Sequence, residues 1–147
     1  MLLPLLLALS VQTAPSLETP GIILTRSGDT VFLAPTKSIG RDGAIRGAVL
    51  VEIYPAALEE WETVRRDSIV QMDCAASRIR VLAAQAFDGR DLKRGSPQPG
   101  PGEWARLNPA DFPRAILFSM TCSDADLGGI SYANLADEIP RLRNGLR

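Results

Sequence analysis

The sequence predicts an α+β fold, an antiparallel sheet of five to six strands with one C-terminal helix packed on a face and tethered by a disulfide. Three observations point to this class. Several segments alternate apolar and polar residues with the period of two that is typical of a strand. Short links rich in turn-forming residues separate them, which favours antiparallel neighbours. A later segment has helical periodicity instead and ends in the second of two cysteines.

Length and composition limit the classes of protein that this chain can belong to. Its 147 residues suit one domain, and 46% apolar residues are enough to fill a core. The net charge of −1 provides no overall field for binding nucleic acid. The absence of histidine from the sequence removes the usual general base and every Ser-His-Asp or Cys-His arrangement. We therefore expect a binding protein rather than an enzyme.

Residues 1–10 form an apolar run of signal-peptide length, too short to span a bilayer. Ala8 and Ser10 provide small residues for cleavage before Val11, and Ala14 is the latest alternative site. The run lacks the positive residues that usually begin a signal, so a buried amino-terminal segment of a cytosolic protein is the alternative. Residues 11–20 are expected to form a flexible lead-in. We expect export to the periplasm or the cell surface, and no membrane span.

Six segments are predicted to be strands. The clearest runs from Ala44 to Tyr54, where alternate residues fall on two faces. Residues 75–77 separate the fourth and fifth segments by a link short enough for a β-hairpin. An amphipathic helix is the alternative for Arg78 to Phe87, because that run is rich in alanine. The predicted strands are Gly21–Arg26, Thr30–Ala34, Ala44–Tyr54, Val64–Cys74, Arg78–Phe87 and Glu103–Leu107.

The fifth segment places two arginines together. Arg78 and Arg80 alternate with apolar residues and therefore share one face of their strand. The opposite face is predicted to carry Ile79, Val81, Ala83, Gln85 and Phe87. With Arg65 or Arg66 of the neighbouring strand, the two arginines could form an anion-binding patch. A solvated outer face, paired with Asp67 or Glu52, is the alternative that we favour.

Residues 88–102 contain four glycines and three prolines and are predicted to form an exposed, mobile loop. Arg90, Lys93 and Arg94 make this loop basic, which suits weak electrostatic attachment to a partner. Trp61 lies in a charged segment and is a candidate interface anchor. For Trp104, core packing and an exposed anchor role are equally good interpretations.

The predicted helix runs from an N-cap at Asp111 to about Cys122, with Pro113 in the first turn. One stripe should cover the sheet and is predicted to contain Phe112, Ile116, Ser119 and Met120, with Leu117 nearby. A disulfide between Cys74 and Cys122 would join the helix to a central strand, and two unpaired buried cysteines are the alternative. Residues 21–122 then form the domain, and residues 123–147 form an extension with a weakly helical tail.

Three motifs occur in a fixed order along the chain before the helix that ends in Cys122. They are Lys37–Gly43 (KSIGRDG), Met72–Leu82 (MDCAASRIRVL) and Glu103–Pro109 (EWARLNP). This order resembles the surface-adhesin protein E family of small exported bacterial domains. The resemblance implies a curved antiparallel sheet whose concave side carries a helix fastened by the cysteine pair. The member that named the family binds host extracellular-matrix proteins, but no binding motif can be matched to positions here.

Metal and cofactor chemistry is not expected. Asp124 and Asp126 begin a segment like the first half of a calcium loop, but Gly128 and Leu135 stand where the loop needs oxygen ligands. Glu59, Glu60 and Glu62 around Trp61 are interpreted as an exposed acidic loop, because consecutive residues rarely converge on one substrate. We expect neither a metal nor a cofactor.

The expected function is therefore an exported binding domain that interacts with a protein or a cell-envelope component. Self-association through a sheet edge or the open face, giving a homodimer, is a further expectation. The alternative is a structural or inhibitor-like envelope protein without a host ligand. The candidate binding residues are Trp61, Arg78, Arg80, Arg90, Lys93 and Arg94.

Overall fold

The computed structural model describes residues 21–28, 30–40, 42–54, 62–88, 90, 93–123, 131–132, 137 and 141. Within them the chain forms eight strands, all of whose pairings are antiparallel, and an 11-residue α-helix that packs on the sheet. The predicted α+β fold is confirmed. The elements are β1 (Gly21–Ser27), β2 (Thr30–Pro35), β3 (Ile45–Ile53), β4 (Arg65–Asp73), β5 (Arg78–Phe87), β6 (Lys93–Pro99), β7 (Ala105–Arg106), α1 (Phe112–Cys122) and β8 (Ser131–Tyr132).

The sheet is a meander in which each strand from β1 to β6 lies beside the one before it. The spatial order is β6-β5-β4-β3-β2-β1-β8, and β7 pairs with the first residues of β5. Strand β8 adds to the outer side of β1, so residues that follow the helix take part in the sheet. Strand β8 was not predicted, because two residues show no periodicity.

The centre of the sheet is apolar on both faces. We call the side covered by α1 the helix face and the other side the second face. Alternation along β3 sends Ala48 and Leu50 to the helix face and Val49 and Val51 to the second face, and all four are buried. The core of the helix face consists of Ala34, Ile39, Ala48, Leu50, Val70, Met72, Ile79, Leu117 and Phe118.

A β-bulge in β5 decides which of its side chains reach which face. Ile69 of β4 lies opposite Ala83, but the next residue, Val70, lies opposite Val81, so Leu82 is an extra residue. The single apolar side predicted for this strand is therefore wrong. Its first half sends Ile79 and Val81 to the helix face, while Ala83, Gln85 and Phe87 lie on the second face together with Arg78 and Arg80.

The mobile loop predicted for residues 88–102 is also wrong, because Lys93–Pro99 forms β6 along the outer side of β5. The N–H groups of Gly100 and Gly102 then donate to the carbonyls of Leu82 (2.8 Å) and Val81 (3.1 Å). Strand β6, these two glycines and β7 thus form one interrupted edge of the sheet. Its described side chains are mostly exposed, as expected for an edge without an apolar period.

The helix has its predicted bounds but a different buried stripe. Leu117, Phe118 and Thr121 are buried, whereas Phe112 is 65% exposed and Ser119 is also exposed. The helix lies mainly against β1, β3 and β4. Neighbouring helical positions differ by about 100°, so the side of the helix that meets these strands carries different residues from the predicted stripe. The predicted N-cap also differs in detail. The Asp111 carboxylate accepts from Arg114 Nη1 at 2.7 Å and caps no backbone N–H.

The predicted disulfide is confirmed: Cys74 and Cys122 are bonded, with their Cα atoms 5.5 Å apart. A second contact holds the same end of the helix, since Arg46 Nη1 donates to the Thr121 carbonyl at 2.8 Å. A cation at this place satisfies a carbonyl that the last helical turn leaves without a partner. Among the described helical residues, no helix has the length and hydrophobicity needed to cross a membrane.

Candidate binding surface

Two of the predicted candidates, Arg78 and Arg80, lie side by side with Trp104 on the second face. The guanidinium of Arg80 stands 4.4 Å from the centre of the Trp104 ring, and that of Arg78 stands 5.5 Å away. Both distances are in the range of cation–π contacts. Trp104 is half-buried, so neither simple interpretation of it holds. It packs under the arginines and keeps part of its ring at the surface.

Arg106 completes this group, although sequence analysis did not identify it. It lies directly opposite Arg78 in the pairing of β5 with β7, and directly opposite residues share a face. Trp104 precedes Arg106 by two residues and therefore points the same way. We call Arg78, Arg80, Trp104 and Arg106 the arginine–tryptophan surface.

The charge of this surface is only partly balanced. Arg78 Nη2 donates to Asp73 Oδ2 at 2.7 Å, and this bond holds the pKa of the Asp73 carboxyl below its usual range. No carboxylate among the described residues pairs with Arg80 or Arg106. Three arginines and one aspartate therefore leave two positive charges without a carboxylate partner.

Arg80 is held in place by a neutral group. Its Nε and Nη2 both donate to Gln71 Oε1, at 2.9 and 2.7 Å, while its guanidinium stacks on Trp104. The amide oxygen orients the guanidinium without cancelling its charge. Asp67, one of the two predicted partners, pairs with Arg65 and not with Arg78 or Arg80, because the β4–β5 register places Asp73 opposite Arg78 and Gln71 opposite Arg80.

An apolar residue borders the surface. Ile45, the first residue of β3, lies directly opposite Asp73 and is 47% exposed, which is unusual for isoleucine in this structure. Gly47, the next residue of β3 on the same face, lies opposite Gln71 and leaves the backbone uncovered by a side chain. On the β3 side, the surface is therefore bordered by one exposed apolar side chain and one glycine.

The other basic candidates lie at the opposite end of β5, about 30 Å along the strand from Arg78. Arg90 is exposed, but its Nη2 is bound to Asp88 Oδ2 at 2.8 Å. Lys93 is exposed and opposite Phe87 in the sheet. The backbone of Arg94 pairs with Ala86, and its side chain is outside the description. The described residues Arg90 and Lys93 therefore do not join the arginine–tryptophan surface.

Several candidates fall outside the described residues. They are Trp61, Glu59 and Glu60, and both aspartates of the calcium-like segment. Glu62 is described and exposed. In the described part of the chain, no group of three or more metal-ligating side chains is positioned to hold a metal ion.

Arg65 also faces the second side but cannot contribute to binding, because it is buried. Its Nε lies 3.0 Å from Asp67 Oδ1, and its guanidinium stacks 3.7 Å from the centre of the Phe87 ring. Burial raises the pKa of the Asp67 carboxyl, and the charge of Arg65 opposes that rise. This ion pair is buried at the end of the sheet far from Arg78. Removing either Arg65 or Asp67 would therefore leave the other as an unpaired buried charge.

A groove of about 290 Å³ separates the β1–β2 turn from the start of the helix. Phe32 and the exposed Phe112 form its apolar walls, and Arg26 and Asp111 contribute opposite charges.

Comparisons with known protein families, with curated proteins and with solved structures found no match to this chain. The resemblance to the surface-adhesin protein E family therefore stays a prediction. What is shown is the fold itself, an antiparallel sheet with a disulfide-tethered helix, and the contact of Arg78 and Arg80 with Trp104, with Arg106 opposite Arg78 in the sheet.

Proposed function

We propose that the chain is an exported binding domain, adhesin-E-like in its organisation, that engages a protein or a cell-envelope component through the arginine–tryptophan surface. The observation that carries this proposal is the Arg80 guanidinium, which Gln71 and Trp104 fix in position while no described carboxylate neutralises it. An ordered cation at a surface loses little further freedom when it binds an anion. Arginine and tryptophan are also the residues most enriched at interface hot spots.

Binding rather than catalysis fits the chemistry of this surface. Arginine stays protonated at all ordinary pH values, so it orients anions well but exchanges protons poorly. The one carboxylate present, Asp73, has a lowered pKa because Arg78 donates to it. A general base would need the opposite shift, towards neutral pH.

A photo-crosslinking experiment tests the location of the interface. p-Benzoylphenylalanine replaces Ile45 beside the surface, or Phe112 on the distant helix as a matched exposed control. Each protein is irradiated in the native host's envelope fraction. We expect adducts from position 45 that disappear when Arg80→Gln and Arg106→Gln are added, and that survive Arg26→Gln with Arg66→Gln. Equal adducts from positions 45 and 112, or adducts insensitive to the arginine pair, would contradict the proposal.

The export part of the proposal needs a separate measurement. Intact mass of the chain from the native host, with and without reduction and alkylation, reports processing and the disulfide together. We expect a mature mass that starts near Val11 and no alkylation before reduction. An unprocessed chain with two alkylated thiols would place it in a reducing compartment.

A further inference from the structure

We propose that the partner contributes an extended acidic segment of polypeptide, which pairs with the outer edge of β7 and places carboxylates against Arg106 and Arg80. This inference rests on the proposed function, because it assigns a partner chemistry to the same surface. It belongs to the class of recognition in which a peptide adds a strand to an exposed sheet edge.

The backbone of β7 offers the pairing groups. Leu107 donates its N–H to the carbonyl of Ser77 at 2.9 Å, which makes these residues a hydrogen-bonded pair. In an antiparallel ladder the neighbouring pair, Arg78 and Arg106, then points its N–H and C=O groups away from each other. The peptide N–H of Arg106 therefore faces outward. Among the described residues, β7 has β5 as its one neighbouring strand.

The middle of this edge is closed to pairing. Pro97, Pro99 and Pro101 lie within five residues and provide no N–H, which is a common protection of edge strands. They separate the start of β6 from a second proline-free stretch, Gly102 to Asn108, to which a strand can add. This second stretch is also the part that carries Trp104 and Arg106.

The charges specify an acidic partner. Arg78 and Arg106 are like charges on directly opposite residues, an arrangement that destabilises a sheet. Asp73 offsets one of them. A strand added outside β7 would place one side chain next to Arg106, and further side chains on the same face every 6.6 to 6.8 Å or so. Carboxylates at alternate positions of that strand would therefore meet Arg106 and Arg80, the two arginines without a carboxylate partner among the described residues.

A polypeptide is favoured over an acidic polysaccharide by the outward N–H of Arg106. A glycan would bind the guanidinium groups but would leave this backbone group without the regular ladder partner that another peptide provides. The charge of Arg106 and the open edge lie on the same two-residue strand. Their combination is the specific feature that an extended peptide satisfies.

Calorimetric titration of the oxidised protein with synthetic peptides tests the inference. The probe is a peptide of alternating glutamate and threonine, and the composition control carries the same residues in two blocks. We expect the alternating peptide to bind more tightly than the block peptide. Arg106→Gln should weaken it about tenfold, the loss expected for one charge-assisted hydrogen bond, and Arg26→Gln should leave it unchanged. Arg106 has no described side-chain contact, so its replacement should not affect folding.

A third peptide separates strand addition from attraction by charge alone. It keeps the alternating sequence but has methyl groups on the backbone nitrogens of every second residue, which removes ladder donors. Methylation on the glutamates and on the threonines is tested separately, and one of the two should abolish binding. Equal binding of all peptides, or binding of polygalacturonate but of no peptide, would overturn the inference. Crosslinks from position 45 that depend on Arg80 and Arg106 would then still support the proposed function. If no such crosslinks form, both the proposed function and this inference are refuted.

Discussion

Removing the disulfide should cost a large part of the stability of this domain. The bond between Cys74 and Cys122 closes a loop of 48 residues that contains β5, β6, β7 and most of α1. The chain-entropy relation gives roughly 4 kcal/mol at 25 °C for a loop of this size. A domain of this length is typically stable by about 5–15 kcal/mol. The double variant Cys74→Ser with Cys122→Ser should therefore fold but lie much closer to unfolding.

Urea unfolding followed by circular dichroism measures the effect. With a urea dependence of about 1.5 kcal/mol per molar, the midpoint should fall by roughly 2 to 3 M. The slope itself should rise, because the unfolded chain without the cross-link exposes more surface. Wild-type protein in reducing agent is the control and should behave like the double variant. A loss below about 1 kcal/mol with an unchanged slope would refute the loop-entropy reasoning.

Three further predictions concern stability and pH. Leu117→Ala should lower the free energy of unfolding by about 3 kcal/mol because this side chain is fully buried, while Phe112→Ala should lower it by less than about 0.5 kcal/mol. The reverse order in thermal or urea unfolding would show that the helix packs its other side against the sheet. Gly100→Ala should destabilise by about 1–3 kcal/mol, since the added Cβ would collide with the Val81 carbonyl, and an unchanged unfolding midpoint would contradict that contact. Asp73→Asn should be less stable than wild type above about pH 4, and this difference should shrink as the pH falls. The reason is that a carboxyl with a lowered pKa stabilises the fold only while it is ionised. A pH-independent difference in unfolding free energy would contradict the ion pair of Asp73 with Arg78.

The sequence was sufficient to predict the elements with strong periodicity or clear ends. Strand β3, the β4–β5 hairpin and the bounds of α1 agree with expectation because alternation, a short link and Pro113 each have one ordinary structural meaning. The position of Cys122 at the helix end made the disulfide predictable as well. Strand β6 was missed because its seven residues contain no apolar side chain that could show a period.

The binding surface was predictable only in part, because it depends on register. Alternation alone placed Arg78 and Arg80 on one face of their strand. Their partners were not predicted, because the turn spans residues 74–77 instead of 75–77 and so places Asp73 opposite Arg78 and Gln71 opposite Arg80. Arg106 was missed because β7 has two residues, although its spacing of two from Trp104 is a usable signal in hindsight.

The meander has a consequence for how the chain can fold during synthesis. Each strand from β2 to β6 pairs with the strand made just before it, so pairing can proceed from the amino end with short loop closures. The contacts between distant parts of the sequence, β1 with β8 and Cys74 with Cys122, involve residues made late. Oxidation would then fasten a sheet that already exists, and a chain halted before Phe112 would have its strands β1 to β6 paired but its helix face uncovered.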